Sequence, residues 1–379
     1  MTSLRANLFF VTLGLSLLGL VMVYSATYRE FGTDYLFARV GHIALGVLVF
    51  VLASRVRYTT WRKFAAPFYF GTLATLVLVL VPGIGQEAGG ARRWIDVGFI
   101  SFQPSEFAKI AAVLTLSCAL ARTPPGSGVP IRPLLAVGAL FILVLVEPDF
   151  GTSVVLLAGA AGALWASEVR TRDLVLCGVA GFAALFAIML IEPYRRQRFM
   201  TFLDPWSAAD GSGYQIVQSM VAIKAGDFFG SGAGSGGQSS SVPEIQTDMI
   251  FALVGEELGL LGMTIVIAAF GFIAIAGFNI SLHAPSIMAR CLAAGLTTAL
   301  CVQAVFNMGA VMVVLPLAGI TLPFISYGGS SLLASFAAVG ILYRISEDSE
   351  RAREAKPRAT NSDRRRRDGG TRDPRALRG

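Results

Sequence analysis

The chain has 379 residues, of which 54% are hydrophobic and only 15% are charged. A soluble domain carries about 25% charged residues, and the apolar residues here form long blocks, so the composition excludes an ordinary soluble protein and favours a polytopic membrane protein. More than half of the net charge of +7 comes from residues 346–379, which hold eleven of the 31 Lys and Arg residues and seven of the 24 Asp and Glu residues.

Ten apolar blocks along the chain are long enough to cross a bilayer. They lie at about residues 8–25, 36–54, 64–82, 104–121, 132–147, 151–167, 173–191, 250–280, 288–315 and 329–345. The basic loops fall on alternate sides of successive blocks, so the positive-inside rule places both termini in the cytoplasm. We therefore predict an all-α polytopic membrane protein with about ten transmembrane helices in residues 1–346. A basic, disordered cytoplasmic tail is predicted for residues 347–379.

A long outer segment, residues 192–247, separates the seventh and eighth predicted spans. A loop of this length is usually functional or disordered. Its first part, residues 193–206, mixes arginines and aromatic residues as an interfacial segment does. Residues 213–226 have apolar residues at helical spacing, which predicts an amphipathic or re-entrant helix. Residues 230–241 are rich in glycine and are interpreted as a flexible hinge.

The stretch PEIQTDMIFALVGEELGLLG, residues 243–262, places carboxylates directly before and within an apolar run. Glu244 and Asp248 are four residues apart, so they share a face of any helix that begins near Pro243. Asp248 would lie where water meets apolar surroundings, which raises the pKa of a carboxyl and makes it a usable base. The alternative is that these acids only decorate a helix N-terminus, where the helix dipole favours them.

Other charged residues lie at the outer edges of the predicted spans. Glu106 and Lys109 are three residues apart at the head of the fourth span, so they can pair on one helical face. The pair either neutralises itself or lines a wet cavity. The outer arginines either snorkel to lipid headgroups or bind a diphosphate through their forked donors. These arginines are Arg92, Arg93, Arg195, Arg196 and Arg198.

Glu147 and Asp149 flank Pro148 in a tight outer turn, and we interpret them as solvated turn acids at least as readily as functional groups. Residues 322–333, LPFISYGGSSLL, resemble a re-entrant turn that leads into the last span. The small residues in this turn allow close helix packing, which by itself explains them.

Six stretches together resemble one family. In chain order they are GGARRWIDVGFISFQPSEFAK, EPDFGTS, YRRQRFMTFLDPW, GSGYQIVQS, PEIQTDMIFALVGEELG and LPFISYGGSSLL. Each motif alone is weak, but six in this order are typical of the SEDS (shape, elongation, division, sporulation) peptidoglycan polymerases. The chain is most similar to the division branch, FtsW, with the elongation branch, RodA, as the alternative.

The resemblance implies ten spans and polymerisation of lipid II on the outer face of the bacterial cytoplasmic membrane. The catalytic aspartate of the family's HTDF motif matches Asp248, and the family's acid and lysine at the head of the fourth span match Glu106 and Lys109. Gln246 stands where the family usually has His, and Met249 where it usually has Phe. The first departure argues against an obligatory imidazole at position 246.

The mechanism that the resemblance implies needs a base and a cationic site for the leaving diphosphate. Asp248 would be the base, and Arg93, Lys109 and Arg196 would bind the diphosphate, together with a divalent cation such as Mg²⁺ or Mn²⁺. Glu106 would orient Lys109. Direct displacement would invert the α-linked donor to a β-linked product.

The expected partners are lipid II, the membrane, a class B penicillin-binding protein that cross-links the new strand, and other proteins of the division septum. No nucleic-acid partner is expected. Two other functions stay open: a flippase that moves the same lipid across the bilayer, because buried charges would serve transport too, and a scaffold that only recruits an enzyme.

Overall fold

The computed structural model describes residues 2–88, 91–96, 98, 101–238 and 241–368. This part of the chain is mostly helical. The helices are α1 (Thr2–Phe31), α2 (Asp34–Arg55), α3 (Tyr58–Val79), α4 (Pro104–Leu120), α5 (Ile131–Val146), α6 (Phe150–Trp165), α7 (Thr171–Ile191), α8 (Pro193–Leu203), α9 (Tyr214–Gly226), α10 (Ile250–Leu282), α11 (Ile287–Val311) and α12 (Gly329–Asp368).

Each of the ten predicted apolar blocks coincides with a helix. Six helices of the described chain are long and apolar enough to cross a membrane by themselves: α1, α2, α7, α10, α11 and α12. Two further helices, α5 and α6, are also apolar but shorter. The predicted class, a polytopic helical membrane protein, is confirmed, whereas the count of ten spans stays a prediction.

A small antiparallel sheet is the one departure from an all-helical fold within the described residues. It consists of β1 (Gly85–Ala88), β2 (Ala91–Asp96) and β3 (Ser101–Phe102), in that order. The sheet lies between α3 and α4, and β2 carries Arg93. We did not predict it, because a charged six-residue strand shows no apolar alternation.

Helix α4 forms the centre of the bundle. Nearly all of its side chains are buried, and it packs against α3, α6 and α11. Small residues allow this close approach. A Cβ atom at Gly295 of α11 would overlap the Val113 side chain of α4, and one at Gly159 of α6 would lie 3.0 Å from it. In a membrane, helices are not driven together by the hydrophobic effect, and small residues at their crossings allow the close packing that stabilises them instead.

Helix α10 begins at Ile250, where the predicted apolar block begins, and not near Pro243. Pro243–Met249 form consecutive turns, and the helix starts at Ile250. Glu244 has φ 54°, a left-handed backbone conformation that no helix start contains. The prediction that Glu244 and Asp248 share a helical face is therefore wrong.

The predicted boundary between membrane domain and tail falls inside α12, which continues past residue 346. Arg344 pairs with Glu347 and with Asp348, each at 2.9 Å, and Arg5 of α1 pairs with Glu350 at 2.9 Å. The packed part of the chain thus extends beyond the predicted boundary. Residues 369–379 lie outside the described residues, and the predicted disorder and role of the tail stay predictions.

Candidate active site

Asp248 lies in a turn, residues 243–249, which we call the Asp248 turn. The Asn307 amide of α11 holds this turn by donating to the Asp248 carbonyl at 2.7 Å and to the Ile320 carbonyl at 2.7 Å. One buried side chain therefore fixes two segments of backbone at the end of the bundle that the basic loops predict to face outward.

The second of those segments is residues 316–328, which we call the re-entrant segment. It is non-helical and leads into α12, as predicted. The Ser326 hydroxyl donates to the Thr247 carbonyl at 2.6 Å, and the Tyr327 amide donates to the Gln246 carbonyl at 2.8 Å. The re-entrant segment thus holds the Asp248 turn through one side-chain and one backbone hydrogen bond to its carbonyls.

Arg198 of α8 faces Asp248 across Gly319. A Cβ atom at Gly319 would lie 3.4 Å from Asp248 Oδ2 and 3.5 Å from Arg198 Nη1. Gly319 has φ +65°, which a glycine adopts without strain. A narrow gap therefore separates the Asp248 carboxylate from the Arg198 guanidinium, and Gly319, which has no side chain, lies at its base.

The structure brings Arg198 to this gap instead of Arg196. The guanidinium of Arg198 stacks 4.8 Å from the Tyr194 ring and approaches the Leu317 carbonyl at 3.5 Å. Arg196 is exposed, and no hydrogen bond or ion pair of its side chain is found in the described part of the chain. The four-residue spacing of Tyr194 and Arg198 on α8 was the signal that could have distinguished them.

Two cavities lie on either side of the Asp248 turn. One, of about 280 Å³, has Tyr194, Arg198 and Thr201 of α8 in its wall, and we call it the α8 cavity. The other, of about 450 Å³, lies against residues 25–31 of α1 and includes Gln246, and we call it the α1 cavity. Pro243 lines both. The Asp248 turn thus lies between two cavities, although Asp248 itself lines neither of them.

Arg93 of β2 reaches the turn between α5 and α6. Its Nε donates to the Glu147 carbonyl at 2.9 Å, and its Nη2 donates to the Pro148 carbonyl. The neighbouring acid, Asp149, caps α6 by accepting from the Thr152 amide at 3.1 Å. The small sheet is therefore tied to the outer end of α6 through one arginine.

Of the two interpretations left open for Glu147 and Asp149, the structure contradicts that of solvated turn acids, because both side chains are buried. Burial and the Asp149 charge raise the pKa of Glu147 to about 9, with Arg93 lowering it. Neither carboxyl oxygen of Glu147 has a hydrogen-bond partner among the described residues. Burial and the lack of hydrogen-bond partners within the described chain both favour the neutral form of Glu147.

The surroundings of Asp248 shift the pKa of its carboxyl group. Burial and the nearby Glu244 raise the pKa of Asp248 to about 6, Arg198 and Arg93 lower it, and Asp149 raises it. Because this pKa lies close to neutral pH, the carboxylate is ionised in most molecules at pH 7 and is a better proton acceptor than an ordinary aspartate. The predicted rise in pKa is confirmed.

The predicted Glu106–Lys109 pair is confirmed as a contact. Lys109 Nζ lies 2.7 Å from Glu106 Oε2 and 2.5 Å from Gln303 Oε1, and both charged side chains are buried. Gln303 also donates to the Thr321 carbonyl at 3.0 Å. The pair is therefore linked to the re-entrant segment, one helical turn below Asn307 on α11, and it lines neither the α8 cavity nor the α1 cavity.

The arrangement of a base, a facing arginine and a deeper ion pair can be compared with known proteins. The family model described as Cell cycle protein, FtsW/RodA/SpoVE, matches residues 5–351. The chain belongs to this family. The SEDS resemblance seen in the sequence motifs is thereby confirmed over nearly the whole membrane part.

Curated relatives in the FtsW/RodA/SpoVE family match the chain at nearly full length. Stage V sporulation protein E of Bacillus subtilis is 36% identical over 356 residues, covering 91% of this chain and 97% of that protein. A protein named probable peptidoglycan glycosyltransferase FtsW, from Geobacter sulfurreducens, is 38% identical over 349 residues, covering 89% and 93%.

Solved structures of the family share the fold. A chain from a structure described as "Structural coordination of polymerization and crosslinking by a peptidoglycan synthase complex" superposes with a TM-score of 0.77 at 28% identity, over 90% of this chain and 97% of that one. The Thermus thermophilus rod shape determining protein RodA superposes with a TM-score of 0.68 at 27% identity, over 90% and 96%.

The family resemblance raised the possibility of a divalent cation, so we asked whether the residues fit one. Within residues 2–88, 91–96, 98, 101–238 and 241–368, no three His, Cys, Asp or Glu side chains converge as a ligand set. A closed protein cage for Mg²⁺ or Mn²⁺ is therefore not formed by these residues. We derive no step through a metal, and a cation bound together with a substrate diphosphate stays a prediction.

Proposed function

We propose that this chain is a peptidoglycan glycosyltransferase that polymerises lipid II on the outer face of the bacterial cytoplasmic membrane, at the division septum. The observation that supports it most is the pair of Asp248 and Arg198 facing one gap at the outer end of a membrane bundle. Relatives in the same family carry the name peptidoglycan glycosyltransferase FtsW. The placement at the septum, rather than along an elongating wall, follows that naming.

The gap supplies the two groups that glycan polymerisation requires. Asp248 accepts the proton of the acceptor's 4-hydroxyl as that oxygen bonds to the donor's anomeric carbon. The bond from that carbon to the lipid diphosphate breaks, and the diphosphate leaves with the electron pair. Arg198 stabilises the leaving diphosphate with its forked donors. A single displacement of this kind inverts the α-linked donor, so the product is β-linked.

Arg93 and the Glu106–Lys109 pair act around this centre in the proposed reaction. Arg93 adds positive potential near Asp248 while it holds the Glu147–Pro148 backbone. The Lys109 ammonium, through Gln303, holds the re-entrant segment that floors the gap. In this proposal Arg93 and Lys109 favour an anionic substrate, although neither reaches the gap itself.

We expect the rate of polymerisation to fall as the pH drops through about 6. The raised pKa of Asp248 means that the ionised base forms only above that pH, so protonation removes catalysis below it. The measurement is the initial rate from about pH 5 to about pH 8 at saturating lipid II. A rate that does not change over this range would contradict the assignment of Asp248 as the base.

We expect Arg198→Ala to lower the polymerisation rate by about 10²-fold or more, because the leaving diphosphate loses its facing guanidinium. Arg196→Ala is the matched control: it removes the same charge two residues away from an exposed position and should keep most of the rate. The comparison is made with both purified variants at equal protein concentration. Equal losses in the two variants would assign the effect to surface charge and would remove Arg198 from the site.

The proposed function is tested with the purified chain and labelled lipid II, by looking for a ladder of glycan strands on a gel. We expect ladders that a muramidase digests, because the product is β-linked. The absence of any ladder from a folded, membrane-inserted protein would overturn the proposal.

A flippase is the second candidate, and the buried Glu106–Lys109–Gln303 cluster favours it, because charges at membrane depth often mark a transport path. Labelled lipid II enclosed in liposomes distinguishes the two functions. Translocation without polymer would support the flippase.

We further propose a class B penicillin-binding protein as the partner. The solved structure that superposes best among those given above is described as coordinating polymerization and crosslinking in one complex. A polymerase with this fold would hand its strand to such a cross-linking enzyme. Co-purification of the chain with a transpeptidase from the same cell, lost when the outer loops are replaced, would test this pairing.

A further inference from the structure

Helix α10 is interrupted near its outer end, and the outer loop fills the interruption. Gly259 has φ 65° and ψ −165°, outside the helical region. The carbonyls freed there accept from the loop: the Ser231 amide donates to the Glu256 carbonyl at 2.9 Å and the Gly232 amide to the Glu257 carbonyl at 3.0 Å. Broken helices persist in membranes only where such groups find new partners.

The freed amides on the other side of the break are paired in the same way. The Leu260 amide donates to the Asp227 carbonyl at 3.0 Å, and the Leu261 amide donates to the Phe228 carbonyl at 3.2 Å. Residues 226–238, which we call the glycine segment, thus replace one helical turn of α10 with backbone hydrogen bonds from outside the helix.

The carboxylates of Glu256 and Glu257 fasten the far end of the glycine segment. Glu256 Oε1 accepts from the amides of Gly237 and Gln238, both at 2.9 Å. Glu257 Oε1 accepts from the Gly234 amide at 3.1 Å. Residues 230–238, the continuous described part of the predicted hinge, are therefore held in place, because several of their amides bind two buried carboxylates.

Two further donors reach Glu257 Oε1. The Gly236 amide lies 3.4 Å from Glu257 Oε1, and the Ser25 hydroxyl of α1 donates to the same oxygen. Glu257 thus joins the glycine segment to α1 as well as to α10. Successive backbone amides that point at one anion form the concave arrangement known as a nest.

Glycine is required where the glycine segment crosses α10. A Cβ atom at Gly226 would overlap the Gly255 carbonyl, and one at Gly230 would overlap the Glu257 carbonyl. Gly230 and Gly234 also have φ +81°, which side chains rarely adopt. The close packing of the glycine segment on α10 therefore depends on glycine at these positions.

We propose that Glu256 and Glu257 are positioning residues of the polymerase, whose carboxylates hold the glycine segment and thereby fix the Asp248 turn. This inference rests on the proposed function, because it assigns Asp248 the role of base. The chain runs only from Gln238, bound to Glu256, to Pro243 before the turn begins. After the turn, α10 leads straight back to Glu256, so the turn is anchored at both ends by the same residue.

The lining of the α1 cavity also joins the glycine segment to the Asp248 turn. Gly236 of the glycine segment lines it together with Ser25 of α1 and with Glu244 and Gln246 of the Asp248 turn. Releasing Gly236 from Glu257 would therefore open the wall behind the turn to water. A carboxylate suits this task because it only accepts hydrogen bonds, whereas the amide of a Gln presents N–H groups to some of the same donors.

The test compares Glu256→Gln, Glu257→Gln and the double variant with the unchanged protein in the pH–rate profile of polymerisation. We expect the maximal rate to fall about tenfold or more, because the base is displaced. We also expect the acid limb to move about one pH unit lower, because the Asp248 turn gains water. The groups that set this limb are Asp248 itself, Glu244, Arg198, Arg93 and Asp149.

Glu168→Gln is the matched control, since it removes a carboxylate paired with Arg290 at 3.2 Å at a distant site, and it should leave both rate and limb unchanged. Hydrogen exchange of residues 241–249 gives a readout that needs no activity, and it should quicken in the Glu256 and Glu257 variants alone. A lower maximal rate with an unmoved acid limb and unchanged exchange would show a merely structural role and would overturn the proposal.

The two proposals fail separately. If the unchanged protein makes no glycan, the proposed function fails, and the exchange of residues 241–249 still decides whether the carboxylates hold the turn. A second outcome is that the unchanged protein makes glycan while the Gln variants match it in maximal rate, in the pH of the acid limb and in hydrogen exchange. In that case only the positioning proposal is overturned.

Discussion

Asp248→Asn is expected to lower the rate of glycan polymerisation by about 10²–10⁴-fold, the usual loss for a general base. The change is nearly isosteric and keeps the Asp248 carbonyl that accepts from Asn307. The turn should therefore persist while the proton acceptor is gone. The measurement is the initial rate of ladder formation by the purified variant, together with its binding of lipid II, which should be retained.

Asp210→Asn is the matched control for that variant, because Asp210 is an exposed residue of the same outer loop. It should polymerise at a rate close to that of the unchanged protein. Near-normal ladders from Asp248→Asn would remove Asp248 from the mechanism, whatever its position in the structure.

The Glu106–Lys109 pair gives the second large effect. Glu106→Gln or Lys109→Met alone leaves one buried charge without its partner, which typically costs about 3–5 kcal/mol. The loss of Lys109 also removes the donor to Gln303 Oε1, which orients the Gln303 amide toward the Thr321 carbonyl of the re-entrant segment. We expect either single change to lower both the yield of folded protein and the polymerisation rate per folded molecule.

The double variant, Glu106→Gln with Lys109→Met, separates structure from chemistry. Removing both charges should restore the yield and the thermal stability, because no unpaired charge stays buried. We expect the polymerisation rate to stay low, since the ammonium that supports the substrate region is absent. A double variant that is both stable and fully active would reduce the pair to a structural role.

Much of the fold follows from local sequence properties. The ten apolar blocks, the helix at residues 213–226 and the re-entrant entry to α12 were all read correctly, because each depends on residues within one or two turns of each other. The turn that precedes α10 was not predicted. Glu244 adopts a left-handed conformation there, and the Gln246 and Thr247 carbonyls accept hydrogen bonds from the re-entrant segment, some 80 residues later in the chain.

The candidate site shows the same division. Asp248 could be singled out by its match to the family's motif, since its place before an apolar run alone left a helix-terminus role open, and the Glu106–Lys109 contact could be predicted from its spacing. The sequence could not show which outer arginine lies in the site. Contacts with Gly319 and Leu317 decide which face of α8 meets the Asp248 turn. The role of the glycine segment was also hidden, since its ligands, Glu256 and Glu257, come from another element.

The most direct test of the account places the unchanged protein and Asp248→Asn in liposomes that carry labelled lipid II, and follows polymer formation and lipid translocation in the same samples. We expect muramidase-sensitive glycan strands from the unchanged protein, none from Asp248→Asn, and no translocation by either. Translocation by both proteins with no polymer from either would contradict the account and would make the chain a transporter.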